Sequence, residues 1–300
     1  MRVTYNNLID SVLNSFQNNA STLQRLQEKL SSGKNIQSPD QGPMESAKIM
    51  AFKTKESQYN QYVRNIDESL SWLTFTENTV TQISQNLMRV RELAVSSVNG
   101  SLPDSAREAT ILELKQLRSK LISDGNSQML NKYVFSGLNT LTKPFTEVAG
   151  VVTYNGDDAD MEREISFNSK IVINTRGDKL FNMDGAAGDP NVFEIIDNFI
   201  TQLQTKDFSG ISNTTLGELD KKTESITNLY SEIGSRVNML ELTKEQHSSN
   251  LITVKSMLSN IDDIDIAQVI IELKKADQIY QTSLSVAGKI FPNTLLDYLE

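Results

Sequence analysis

The side chains able to do chemistry here are few in kind. The 300 residues hold 38 Asp and Glu, 29 Lys and Arg, one His and no Cys, for a formal charge of −9. Without Cys there is no disulfide, thiolate zinc site, cysteine nucleophile or Cys-held iron–sulfur cluster. His247 alone builds neither a triad nor a His-rich metal centre. A carboxylate pair of the glycosidase type is permitted by number, but no spacing marks one out. Excess acid argues against a uniformly basic nucleic-acid binder.

Four local patterns invite a sharper reading. Gly33-Lys34-Asn35 resembles the end of a phosphate loop, which needs Gly five residues before its second Gly and Ser or Thr after Lys; Glu28 and Asn35 stand there instead. Gly33 therefore reads as a helix C-cap. Asp157, Asp158 and Asp160 beside Gly156 lack the twelve-residue loop and closing Glu of a calcium site and read as turn residues. Asp262-Asp263-Ile264-Asp265 reads as a helix junction capped by Asp263 or Asp265. His247 falls on an apolar helical seam, where a packed, hydrogen-bonded ring is expected. No catalytic residue, cofactor site or metal site is assigned, and the chain reads as a non-enzyme.

The elements that carry these residues are long helices. From Leu216 a 3–4 alternation runs through Leu219, Thr223, Ile226, Tyr230, Ile233, Val237, Leu240, Lys244, His247, Leu251, Val254, Leu258 and Ile261. That regularity predicts a coiled-coil-type helix of roughly 70 Å. A second helix runs from about Glu45 to Val98, with Ile66, Leu70, Leu73, Val80, Ile83, Leu87, Val90 and Ala94 on its apolar face and Asn99-Gly100 as its stop. A third follows Pro103-Asp104, with Asp104 as N-cap and Ile111, Leu114, Leu117 and Leu121 facing inward. The short connection makes these two antiparallel neighbours.

Both ends keep helical seams of their own. Ile9, Leu13, Phe16, Ala20, Leu23 and Leu30 form one; Ile266, Ile270, Leu273, Tyr280, Leu284, Ala287 and Phe291 form the other. Neither has a sequence neighbour to cover it, so each covers the other. Charge agrees: residues 1–35 hold four basic and two acidic side chains, residues 262–300 three basic and seven acidic. A lone two-helix pair leaves apolar surface outside, so it should become stable when neighbouring copies bury it.

Between the helical halves the composition changes. Val151–Tyr154 reads as a strand before the turn pair Asn155-Gly156; Ile165 and Phe167 alternate on one face, then Ile171 and Ile173. Gly177-Asp178 and Gly185-Ala186-Ala187-Gly188 read as loops, and Asn191–Leu203 as a short helix. The expected fold is mainly α: an elongated rod of long antiparallel helices and a terminal coiled coil, with a small β module inserted at the far end. Its parts are residues 1–40 with 262–300, residues 41–145 with 190–261, and the β module 146–189. Apolar residues are 38% of the chain, below the usual ~45–50%, as a rod with little interior would require. No run approaches the ~18 apolar residues of a membrane span, and Arg2, Asn6, Asn7 and Asp10 break any signal-peptide core.

Specific motifs then meet a family. Leu30-Ser31-Ser32-Gly33-Lys34-Asn35-Ile36, followed by Ser38-Pro39-Asp40-Gln41-Gly42-Pro43, resembles the signature of the flagellin-like axial proteins of the bacterial flagellum, as does Arg89-Val90-Arg91-Glu92-Leu93-Ala94-Val95. Gln41-Gly42 stands where that family has an acidic pair. The start Met1-Arg2-Val3-Thr4, the run Tyr133-Val134-Phe135-Ser136-Gly137 with Lys143-Pro144-Phe145, and the ending Leu295-Leu296-Asp297-Tyr298-Leu299 resemble the branch found at the hook–filament junction. The resemblance implies a flagellin-like fold and a secreted structural adaptor, exported unfolded through the flagellar type III apparatus. Its implied partners are neighbouring copies, a hook-associated protein on the hook side, flagellin on the filament side and an export chaperone, with no nucleic acid and no membrane. The assembly interface would lie on Ile9, Leu13, Phe16, Leu23, Leu30, Ile266, Ile270, Leu273, Tyr280, Leu284 and Phe291. Two other readings of the same helices stay open: a flagellin filament subunit and a cytoplasmic coiled-coil scaffold.

Overall fold

Helices carry most of the chain, as the 3–4 spacing requires. In a computed structural model the described residues are 2–98, 103–183 and 189–290, and the side chains of 2–6, 8, 9, 289 and 290 are also left undescribed. The stop Asn99-Gly100, the loop 185–188, Phe291 and the 295–299 motif therefore lie outside the described residues. The chain divides into two compact units, Met1–Tyr59 with Ser249–Glu300 and Asn60–Ser248.

In the first unit, α1 (Arg2–Ser32) packs against α8 (Ile266–Ile290). The terminal helices do cover each other. Gly33, at φ +69°, ends α1, its N–H bonded to the Lys29 carbonyl at 2.9 Å; the left-handed C-cap expected there is present. Asp265 is the cap of α8, its Oδ1 accepting from the N–H of Ala267 at 2.9 Å and of Gln268 at 3.2 Å.

The second unit is built on the stretch 60–97 of α2 (Pro43–Ser97), on α3 (Asp104–Gly125), on α5 (Val192–Thr205) and on the stretch 216–248 of α7 (Leu216–Asp262). The heptad series Leu219, Ile226, Ile233 and Leu240 is almost wholly buried against Ile66, Leu73, Val80, Ile83, Leu87 and Val90 of α2 and Leu114 and Leu121 of α3. His247 continues that series, buried, with Nε2 2.7 Å from the Ile165 carbonyl and its ring stacked on Tyr62 at 5.4 Å. The packing role expected for it holds. Tyr230 departs from the seam and is exposed.

Asp104 is not a cap. Pro103 holds the N-cap position without a side-chain bond, and the Asp104 carboxylate pairs with Arg107 and with Lys206 instead. Helix α5 begins with a capping box, Asn191 Oδ1 accepting from Glu194 N–H and Glu194 Oε2 from Asn191 N–H. Its apolar face, with Phe193, Ile196 and Phe199, is buried.

Among the described residues the β structure is three separate antiparallel hairpins: β1 (Gln128–Met129) with β2 (Lys132–Tyr133), β3 (Phe145–Val148) with β4 (Val151–Tyr154), and β5 (Glu162–Ser166) with β6 (Ser169–Val172). Strand β4 forms as expected but turns back at Ala149-Gly150, both at positive φ, not forward at Asn155-Gly156. The Asn155 N–H instead extends the pairing by bonding the Pro144 carbonyl at 2.7 Å. Phe167 does not share the face of Ile165; it sits in the tight turn before Asn168 (φ +55°) and is 80% exposed. Gly177-Asp178 opens a one-turn helix, α4 (Gly177–Phe181), where a loop is expected. A second short helix, α6 (Phe208–Gly210), and a π-helical turn (Ile211–Thr215) precede α7.

The run Tyr133–Gly137 with Phe145 is core. Phe135 and Phe145 are fully buried, Phe145 meeting Phe181 edge-on at 5.0 Å. Ser136 Oγ lies 2.6 Å from the Asn139 carbonyl and 2.9 Å from that of Thr142. Gly137 has φ +71°, and a Cβ there would stand 2.2 Å from the Asp157 carbonyl oxygen. Only glycine fits.

Candidate assembly surface

The first unit concentrates the features that ask for a partner. Helices α1 and α8 run antiparallel: Gly33 at the end of α1 meets Ile264 just before α8, while Phe16 stacks on Tyr280 with ring centroids 5.1 Å apart. Asn19 Nδ2 donates to Ser283 Oγ at 2.7 Å. Leu26 and Val269 are buried.

The inward positions of α8 are Val269, Leu273, Ala276, Tyr280, Ser283 and Ala287; on α1 they include Val12, Phe16, Asn19, Ala20, Leu23, Leu26 and Leu30. Of the interface residues expected from sequence, Phe16, Leu23, Leu30, Leu273 and Tyr280 are brought together, each half-buried. Leu13, Ile266, Ile270 and Leu284 are not; they stay exposed. The side chain of Ile9 and the whole of Phe291 lie outside the described residues. Val12, Leu26, Val269 and Ala276 were missed because each lies one place from a residue of stronger apolar contrast or better 4-3 fit.

At about 100° per residue, the exposed residues of α8 fall on both sides of its inward strip. Ile266, Ile270 and Leu284 line one flank, Ile279 and Val286 the other. On that second flank α1 and α8 enclose a groove of about 440 Å³, lined by Ser11, Val12, Ser15, Ile279, Ser283 and Val286. Helix α8 is thus apolar beyond the strip that α1 covers.

A polar clasp fixes where α8 starts. The Asn35 N–H donates to the Asp262 carbonyl at 2.6 Å, and the Ile264 N–H to the Gly33 carbonyl at 3.3 Å. Lys34 Nζ lies 2.6 Å from Asp263 Oδ1 and 3.3 Å from Asp262 Oδ2; Lys53 Nζ is 3.8 Å from the same Asp262 oxygen. The Lys34 hydrogen bond, with one from Ser259, holds the Asp263 carboxyl below the usual carboxylate range, and Asp263 in turn raises Lys34. The Gly33-Lys34 pair that resembles a phosphate loop thus binds the Asp262-Asp263 junction of its own chain.

Among the described residues no group of three or more His, Asp or Glu is placed to hold a metal ion, and no helix is long and apolar enough to cross a membrane. The Asp157 carboxylate accepts from the Ala159 N–H at 2.6 Å, closing its own turn.

Comparison with known proteins gives these residues relatives. Residues 3–140 match the bacterial flagellin N-terminal helical region, and residues 216–299 the bacterial flagellin C-terminal helical region. Flagellar hook-associated protein 3 of Escherichia coli K12 is 25% identical over 257 residues, covering 79% of this chain and 80% of that protein. Its Salmonella typhimurium counterpart is 23% identical over 290 residues, 90% of each chain. A solved Vibrio parahaemolyticus structure, assigned as a flagellar hook-associated protein, aligns with a TM-score of 0.69 and 26% identity, over 74% of this chain and all of that one.

Proposed function

We propose that this chain, which belongs to the flagellin family, is a flagellar junction protein that joins the hook-associated proteins of the hook to the flagellin filament. It is a structural protein and not an enzyme. The observation that carries the reading is α8: α1 covers one strip of it, and apolar side chains remain on both flanks. Two different flanks of one helix make a heterologous contact, copy to copy, and such contacts close into rings or run on as helical lattices. A layer one ring deep presents one face to the hook-associated protein and the other to flagellin. Ile270 and Leu284 of one copy would enter the α1–α8 groove of the next.

Export fits the same chain. With no Cys, it can be threaded unfolded through the type III apparatus and refold outside without oxidation. Its amphipathic C-terminal helix, before it meets α1, is the kind of segment an export chaperone holds in a groove.

The test is deletion of residues 262–300 in the cell. Hooks should then lack stable filaments, and flagellin should be shed into the medium. Normal filaments would refute the reading. Mass spectrometry of sheared flagella decides location: the chain should be found with the hook-proximal fraction, at far lower amount than flagellin. Recovery along the whole filament would make it a filament subunit, and absence from sheared flagella a cytoplasmic scaffold.

A further inference from the structure

Three elements of the second unit enclose a cavity of about 380 Å³, within the ~300–1,000 Å³ range of ligand pockets. Helix α2 contributes Glu68, Ser71 and Trp72, spaced three and four residues apart on one face. The β1–β2 hairpin contributes Met129 and Lys132, which pair across the ladder and so share a face, with Leu130 at its turn. Met161 just before β5, Arg163 on β5 and Ile173 just after β6 close the third side. Hydrogen bonds hold these walls in place. Asn65 Nδ2 of α2 donates to the Glu164 carbonyl at 2.8 Å, the Ile173 N–H to the Met161 carbonyl at 2.9 Å, and the Met161 N–H to Asn174 Oδ1 at 2.9 Å. The cavity is therefore preformed, as ligand sites mostly are. Two thioethers let its wall adapt to an apolar guest. The indole N–H of Trp72 is buried without an acceptor, so the wall also holds an unmatched donor.

Alternation along β5 decides the charge. Met161 and Arg163 face the cavity, which puts Glu162 and Glu164 on the opposite side. There Glu164 stands across from Lys170, and Lys170 reaches Glu162 at 3.0 Å. The cavity keeps Lys132 and Arg163 against Glu68. Glu68 is 3.8 Å from Arg163, too far for a hydrogen bond, and Lys132 has no ion-pair partner among the described residues. One surplus positive charge, with donors unused, thus borders an apolar cavity.

We infer that this cavity binds an aliphatic carboxylate of medium chain length. Its alkyl chain lies along Trp72, Met129, Met161 and Ile173, and its carboxylate accepts from Arg163 and Lys132. An alkyl chain also gives cover to Leu130, which lines the cavity, is 86% exposed and stands at φ +49° in a turn better suited to Asn or Gly. The site lies wholly in the second unit, so ligand binding and assembly through α1 and α8 can fail separately.

Trp72 is the only tryptophan, so its emission reports on the cavity directly. Sodium octanoate added to the full-length protein should shift that emission to shorter wavelength and saturate. Octylammonium, with the same chain and the opposite charge, should give no saturable shift. Lys132→Gln should weaken octanoate roughly three- to tenfold and leave the binding of 1-octanol unchanged. Lys170→Gln removes the same charge from the opposite face of the β5–β6 hairpin and should leave octanoate binding unchanged. Both lysines are exposed, and circular dichroism melts matching the parent's show that both variants fold. No saturable shift with octanoate, an equal shift with octylammonium, or equal weakening in the two lysine variants would overturn the inference.

Discussion

Replacing Lys34 with Met tests whether the clasp, and not the α1–α8 seam alone, sets the start of α8. The Asp262 side chain is 2% exposed, with Lys34 3.3 Å and Lys53 3.8 Å away. Breaking a fully buried pair costs about 3–5 kcal/mol. Lys34 is itself 43% exposed and Lys53 remains, so screening and the second ammonium lower the expected cost to about 1–2 kcal/mol. That corresponds to roughly a five- to thirtyfold larger population of the open state. Hydrogen exchange reads it at two amides, Asn35 and Ile264, whose N–H groups bridge the loop after α1 and the α7–α8 junction. Both should lose protection by that factor, while Leu121 and Ile83 in the second unit keep theirs. Unchanged exchange at Asn35 and Ile264 would show that Lys34 is a solvated surface charge. Equal loss across both units would show a global effect and refute a local clasp.

The clasp also has a pH window. Asp263 is depressed, so its contribution is present above the ordinary value of 3.8 and is lost as pH falls through the lower folded value; Lys34 is raised, so its contribution holds below 10.5 and is lost as pH rises beyond it. Protection at Asn35, corrected for intrinsic exchange, should be flat from about pH 5 to 9 and fall in acid. Gly137→Ala must displace the Asp157 carbonyl and hold alanine at positive φ; strain and overpacking together should cost about 2–5 kcal/mol, read by urea unfolding with Trp72 emission. Serine at Ile270 and Leu284 together should leave the monomer's melting curve within about 0.5 kcal/mol of the parent's stability, since both are exposed. In the cell the same variant should fail to hold filaments on hooks.

The long helices were legible because packing repeats along them. Leu219, Ile226, Ile233 and Leu240 recur every seven residues without a breaker, and a helix offers one face to satisfy that period. The hairpins were only partly legible, because two of their turns place residues at positive φ that turn statistics rank low there. Leu130 and Ala149 take positive φ, whereas the stronger turn pair, Asn155-Gly156, follows a residue still paired with β3. Tertiary contacts around Phe145 decide which pair bends the chain. The clasp was half legible: the acidic junction and the Gly33 cap could be read separately, but not that Lys34 bridges them across 229 positions of sequence.

Helix α8 shows why the terminal seam could be drawn in two registers. The series 266, 270, 273, 277, 280, 284, 287 and the series 269, 273, 276, 280, 283, 287 both step by four and three, and they share 273, 280 and 287. The first alone holds the larger apolar residues Ile266, Ile270 and Leu284; the second alone holds Val269, Ala276 and Ser283, and it is the second that faces α1. Small residues let two helices of one chain approach closely, as the Asn19–Ser283 bond does. The larger ones project from the flank and stay exposed in the single chain; in the proposed assembly a second copy would bury them. In the proposed assembly, hydrophobic contrast in such a helix would be set by the contact between copies, so a pattern read for its strongest stripe would find that contact before the one within the chain. On this reasoning, exchanging Ala276 for Leu should loosen the α1–α8 pair in the monomer, while exchanging Leu284 for Ala should not. If both left monomer hydrogen exchange along α1 unchanged, the division between an inner and an outer stripe would be wrong.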